Sequence, residues 1–156
     1  MIWSLNNCGL ESKSPVLLKL EGHDGVIMDV KFLKKDVVAS VSDDRSLRIW
    51  RLFIDDDNYQ QVGEFYGHRS RIWKIRELEY EGMLVTVSED TTCKVWEVPS
   101  DLFDSKTTKI VNRSIETLKG HMGRNVRALA CLGGLIATGG DDGAIKVWDA
   151  ADILGK

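Results

Sequence analysis

Three histidines in this chain are each followed by the residues that could activate them. His23 precedes Ser42-Asp43-Asp44, His68 precedes Ser88-Glu89-Asp90, and His121 precedes Gly140-Asp141-Asp142. Imidazole, carboxylate and hydroxyl together are the parts of a nucleophilic triad. That chemistry needs one exposed serine beside an oxyanion hole. Here the grouping recurs, each time just before a bulky tryptophan, and repetition points to architecture. No catalytic residue is therefore expected, and the chain reads as a non-enzyme. The Gly-rich stretch Thr138-Gly139-Gly140-Asp141-Asp142-Gly143 could suggest a phosphate loop. No lysine follows its glycines and a strand pattern, not a helix, comes next, so it reads as a hairpin turn. The cysteines, Cys8, Cys93 and Cys131, are odd in number and lack a CxxC pair. They predict free thiols in a reducing compartment, without zinc or a disulfide framework. No cofactor and no metal are expected.

The elements that must position these residues follow from an internal repeat. Gly22-His23, Gly67-His68 and Gly120-His121 are each followed, at nearly constant distance, by Trp50, Trp96 and Trp148. Trp3 fits the same slot, which takes up four of the five tryptophans. Val37 to Val41 and Met83 to Val87 are brief β-branched runs, as buried strands should be. Leu47-Arg48-Ile49 and Ala144 to Val147 alternate apolar and polar residues. Asp-rich turns join each pair into a hairpin. No helical period appears. The prediction is all-β, with four short strands per unit. Phe53 to Asn58 reads as an acidic loop and Pro99 to Lys109 as a longer polar loop, both following a third strand and so expected on one rim.

These marks resemble the WD-repeat family over nearly the whole chain, with Arg51 and Glu97 standing where Asp follows the tryptophan in Trp148-Asp149. The resemblance implies a β-propeller, used as a binding platform. It also implies one hydrogen-bonded set per blade: Asp44, His23, Ser42 and Trp50; Asp90, His68, Ser88 and Trp96; Asp142, His121 and Trp148. Gly140 occupies the third serine position, so the third blade is expected to be the weakest, unless Thr138 substitutes.

The blade count is incomplete. Residues 1–20 read as the end of a preceding blade, with repeat marks at 22–50, 67–96 and 120–148. A propeller closes with roughly four to eight blades, each covered by its neighbours. The expectation is about three blades of a longer array, a fragment or short isoform, or a ring completed by other chains. Isolated, such a chain should aggregate or oligomerise.

Finer phrases carry a narrower likeness. Tyr66 to Trp73 with Val87 to Trp96, and Gly120 to Ala130 with Thr138 to Asp142, are similar to the WD-repeat subunits that partner the tRNA wobble ribose 2′-O-methyltransferase. Val126 comes one residue later after its Gly-His than Ile27 or Ile72 does. The resemblance implies an adaptor for that methyltransferase, which itself binds S-adenosylmethionine, and contact with tRNA. Arg45, Arg69, Arg71 and Arg124 lie on turns expected to share one rim, where they are candidates for RNA or partner contact. The competing reading of these arginines is solvated charge, or pairing with Asp43 and Glu89. The chain carries 21 basic and 24 acidic residues, a formal charge of -3, which predicts no strong duplex binding. A generic WD-repeat scaffold, such as a ligase substrate receptor or coat subunit, is the alternative function. No basic n-region or long apolar run appears, so neither a signal peptide nor a membrane span is expected and the cytoplasm is the expected compartment. The sequon Asn112-Arg113-Ser114 would then go unused.

Overall fold

The computed structural model describes residues 2–3, 16–80, 82–103, 107–123 and 125–155. Strand β1 (Ile2–Trp3) pairs antiparallel with β2 (Val16–Leu18). The first blade runs β3 (Ile27–Lys34), β4 (Val37–Ser42), β5 (Leu47–Phe53) and β6 (Asn58–Phe65), all antiparallel. The second has β7 (Ile72–Glu77), β8 (Met83–Ser88) and β9 (Cys93–Glu97). After β9 comes β10 (Lys109–Val111), and then β11 (Glu116–Leu118), the second blade's fourth strand. The third blade has β12 (Val126–Leu132), β13 (Leu135–Gly140) and β14 (Ile145–Asp149), followed by the short helix α1 (Ala150–Leu154). The architecture is an incomplete propeller of about three blades, with no closed sheet among the described residues.

The blades stand side by side, with β7 packed on β3 and β4, and β12 on β7 and β8. In the first and second blades the second strand is the one buried on both faces. In β4, Val37, Ala39 and Val41 meet Ile72, Ile75, Leu84 and Trp96 of the second blade, while Val38 faces the other way with Leu18, Trp50 and Leu52. In β8 the same alternation sends Met83, Val85 and Val87 toward Val126, Leu129 and Ile136 of the third blade. A strand that is apolar on both sides must read as an unbroken β-branched run, as both do. The outward faces of the terminal blades remain open. Val30 and Phe32 on β3 are about half exposed, and Ile145 is 80% exposed. A groove of about 650 Å³, lined by Leu20, Ile27, Phe32, Val38 and Trp50, runs along the first of these faces.

The connection from Pro99 to Lys109 departs from the expected polar loop. Leu102 is fully buried and packs against Gly63 of the first blade. Arg51 Nη1 donates to the Phe103 carbonyl at 3.1 Å, and Thr108 Oγ1 donates to the Gln61 carbonyl at 2.7 Å. β10 then lies parallel to β6, making a fifth strand on the first blade's outer edge. The chain thus leaves the second blade, adds a strand to the first, and returns. Burial of Leu102 and Phe103 drives this, since both apolar side chains lie inside a segment otherwise polar.

Buried polar sets and the arginine rim

Each blade holds one hydrogen-bonded set, and its geometry is nearly constant. In the first blade His23 Nδ1 lies 2.7 Å from Asp44 Oδ2 and His23 Nε2 lies 2.8 Å from Ser40 Oγ. Trp50 Nε1 donates to the same Ser40 oxygen at 2.8 Å. In the second, His68 meets Asp90 at 2.8 Å and Thr86 at 2.8 Å, and Trp96 donates to Thr86 at 2.8 Å. In the third, His121 meets Asp142 at 2.9 Å and Thr138 at 2.9 Å, and Trp148 donates to Thr138 at 3.0 Å.

The hydroxyl in each set is therefore Ser40, Thr86 or Thr138, and not Ser42, Ser88 or the residue at Gly140. Strand register explains the correction. Trp50 pairs across the hairpin with Val38, and its indole reaches Ser40, two residues along on the same face. Ser42 stands a further two residues on, where its Oγ accepts from the Asp44 amide at 3.1 Å. Ser88 does the same for Asp90 and donates to the Arg71 carbonyl at 2.7 Å. The signal was present in the sequence: ten residues before each of these tryptophans stands a hydroxyl residue, in all three blades. It also removes the reason for a weak third blade, because Thr138 completes that set. A Cβ at Gly140 would lie 2.5 Å from His121 Nδ1, so a serine there would collide with the set.

The carboxylates also close the tight turns. Asp44 accepts from the Asp24 and Ser46 amides, and Asp90 from those of Arg69 and Thr92. Burial pushes the Asp44 carboxyl up, but bonds from Ser46 and His23 outweigh it and hold it at about 2. Asp90 is likewise opposed by burial and held well below the usual range by His68 and Thr92. Bonds from His121 and the Met122 amide hold Asp142 at about 2. Burial lowers His23 and His68 despite their carboxylate partners. These distances match those of a nucleophilic triad, but Ser40 and Thr86 are buried and each already accepts an indole N–H, so neither hydroxyl faces a substrate. Burial also raises the Cys93 thiol, and that of Cys131 to about 11, which favours the neutral thiol over the thiolate at both. Cys8 lies outside the described residues.

The candidate rim arginines separate. Arg45 occupies the β4–β5 turn in the left-handed region, with φ of 71°, and is exposed. Arg69 is exposed beside the β8–β9 turn that its amide helps close. Arg71 is not free: its Nε lies 3.0 Å from Asp43 and 3.1 Å from Glu89, joining the first blade to the second. Its guanidinium also stacks on Trp73 at 5.2 Å, and Arg127 stacks on the same indole at 4.6 Å. Trp73, the tryptophan outside the repeat slot, donates to Asn125 of the third blade at 3.2 Å. Sequence reading missed this stack, whose only signal was a tryptophan off the repeat. Arg124 lies outside the described residues.

The model of the WD domain, G-beta repeat, matches residues 14–51, 59–97 and 112–149. The chain belongs to the WD40 repeat family. It is 33% identical over 136 residues to the tRNA (34-2′-O)-methyltransferase regulator WDR6 of Bos taurus, and 32% identical to that of Homo sapiens, in each case across 83% of this chain. The match spans 11% of those relatives' length. The WD repeat-containing protein pop1 of Schizosaccharomyces pombe is 29% identical, across 90% of this chain and 22% of that protein. Among solved structures, the WD40 β-propeller domain of Doa1 superposes with a TM-score of 0.68 at 25% identity, across 91% of this chain and 42% of that one. The computationally designed Ika4 protein gives 0.67 at 27% identity, across 88% and 74%.

Proposed function

We propose that this WD40 chain serves as a non-catalytic adaptor, in the cytoplasm, for 2′-O-ribose methylation of the tRNA wobble nucleotide by a partner methyltransferase. The observation that carries the reading is the likeness to regulators of a tRNA position-34 methyltransferase across 83% of the chain. Two physical points support it. The histidine, aspartate and hydroxyl groups best suited to chemistry are engaged in holding the blades, which favours a positioning role over a chemical one. The exposed Arg45 and Arg69 stand on turns of one rim, where they can meet phosphates by charge. Arg71 is committed between blades and contributes less. The test is wobble ribose methylation in cells lacking the protein. Loss of the modification, restored by the full-length protein, is expected; unchanged methylation would sink the reading.

A generic protein-binding scaffold is the second reading. It is favoured by a groove of about 430 Å³ between the first two blades, lined by Leu33, Val37, Leu84, Val98 and Phe103. The likeness to other WD-repeat proteins such as pop1 points the same way. Retained partner binding without any effect on tRNA methylation would select it.

A further inference from the structure

The residue two before the repeat tryptophan is a cation in all three blades: Arg48, Lys94 and Lys146. In the first blade this cation is neutralised. Arg48 is buried, lies 3.4 Å from Glu64 and donates to Gln61 at 2.9 Å. Glu64 stands directly opposite Arg48 across the β5–β6 ladder. In the second blade the residue opposite Lys94 is Thr117. Lys94 Nζ donates to Thr117 Oγ1 at 2.7 Å and to Ser114 Oγ at 3.4 Å. Hydroxyls stand where the first blade has a carboxylate and an amide, and beside them opens a polar recess of about 360 Å³.

Around that recess cations outnumber carboxylates. Arg113 lines it, and the charges of Lys119 and Arg69 both bear on Lys94. Burial, then those two cations, lower the Lys94 ammonium against the pull of Asp90. Among the described residues, none of Lys94, Arg113, Lys119 and Arg69 has a carboxylate within ion-pair reach. Two acids oppose these four cations: Glu116, which lines the recess and accepts from the Thr117 amide at 2.7 Å, and Asp90, which belongs to the buried set. A half-buried ammonium, two hydroxyls and flanking guanidinium groups suit a tetrahedral anion with several acceptor oxygens.

We propose that the recess beside Lys94, on the outer edge of the second blade, binds a backbone phosphate of RNA. The proposal rests on the adaptor reading for its choice of RNA over an acidic protein. It also moves the RNA contact from the turns alone to a patch running from Arg69 outward to Arg113.

The first blade supplies the design of the test. Thr117→Glu copies the Arg48–Glu64 arrangement, neutralises Lys94 and fills the recess. Its melting temperature, measured alongside, should not fall, because an ion pair replaces a hydrogen bond. Arg113→Gln with Lys119→Gln removes two exposed cations with no effect on folding. The probe is an unmodified anticodon stem–loop RNA, followed by fluorescence anisotropy on the full-length protein across a potassium chloride series. Both variants should bind about ten-fold more weakly at low salt, and Thr117→Glu should flatten the salt slope by about 0.7–0.9, as loss of one phosphate contact does. Lys35→Gln, in the β3–β4 turn, should bind as the wild type does. Unchanged affinity and slope in a folded Thr117→Glu protein would overturn the site. So would binding of polyglutamate, in place of the RNA, that Thr117→Glu abolishes. The cellular methylation assay is separate: a Thr117→Glu protein that loses the RNA while methylation never depended on the protein keeps the site and removes the adaptor reading.

Discussion

Replacing Thr86 with valine removes one hydroxyl and almost no volume, and so isolates what the buried set contributes. Thr86 is fully buried and its Oγ1 serves two partners, Trp96 Nε1 and His68 Nε2, both at 2.8 Å. Both partners are themselves buried, so water cannot replace the lost bond. A stranded buried polar group costs about 1–3 kcal/mol, and two together about 4 kcal/mol at mid-range. The added methyl returns about 0.8 kcal/mol. The net loss is about 3 kcal/mol. Thermal melts of the full-length protein followed by circular dichroism read this directly. Hydrogen exchange at the Trp96 indole reports whether its N–H has lost its partner. Ser88→Ala is the matched control. Ser88 bonds at the turn, to the Asp90 amide and to the Arg71 and Ser70 carbonyls, and touches neither His68 nor Trp96, so its loss should cost about 1 kcal/mol. A Thr86→Val protein as stable as wild type, or a Ser88→Ala protein that suffers more, would refute the assignment of the set.

Other outcomes follow from the same geometry. Asp90→Ala should destabilise by about 1–3 kcal/mol in a denaturant melt, because it strands His68 and opens the β8–β9 turn. Gly140→Ser, although it restores the residue found in the other two blades, should lower stability by about 1–3 kcal/mol, since its Cβ meets the His121 ring. Arg71→Ala should cost only about 0.5–1 kcal/mol, with most of that lost in high salt, because its two ion pairs are half exposed. Acid should unfold the protein in two stages, visible in melts taken at successive pH values. His23 and His68 titrate lower folded than their ordinary 6.5, so the unfolded chain takes up the extra protons and stability falls once the pH drops below that value. Asp44 and Asp142, held at about 2, contribute stability that is present above pH 4 and lost as the pH falls toward 2.

The repeat made most of the architecture legible. Each Gly-His…Trp unit has a fixed length, so strand order and hairpin turns followed once the three marks were aligned, and β4 and β8 fall on the runs read as buried strands. The partners of His23 and His68 were legible in type but misplaced by two residues. Ser40 and Ser42 share a face of β4, and only the diagonal reach of the Trp50 indole separates them. Arg71 shows a second limit. Nothing in the sequence around it announces Asp43 as a partner, because that pairing exists only once two blades are set side by side. The strand β10 was hidden for a similar reason: Lys109-Ile110-Val111 is too short to signal a strand, and its partner β6 belongs to another blade.

That exchanged strand changes how the array can be cut and rejoined. In a repeat protein whose units meet only at their faces, one unit can be deleted, duplicated or transplanted at the turns that bound it. Here a break between Phe65 and Ile72 would detach the first blade from its own outermost strand, which is encoded some forty residues downstream, as the span from Phe65 to Lys109 implies. The first two blades are therefore one heritable piece, to be moved or lost together, and a synthesis that halts after Val98 leaves the earlier blade unfinished as well. The third blade exchanges no strand with its neighbour among the described residues, which makes the segment after Leu118 the natural place for a splice.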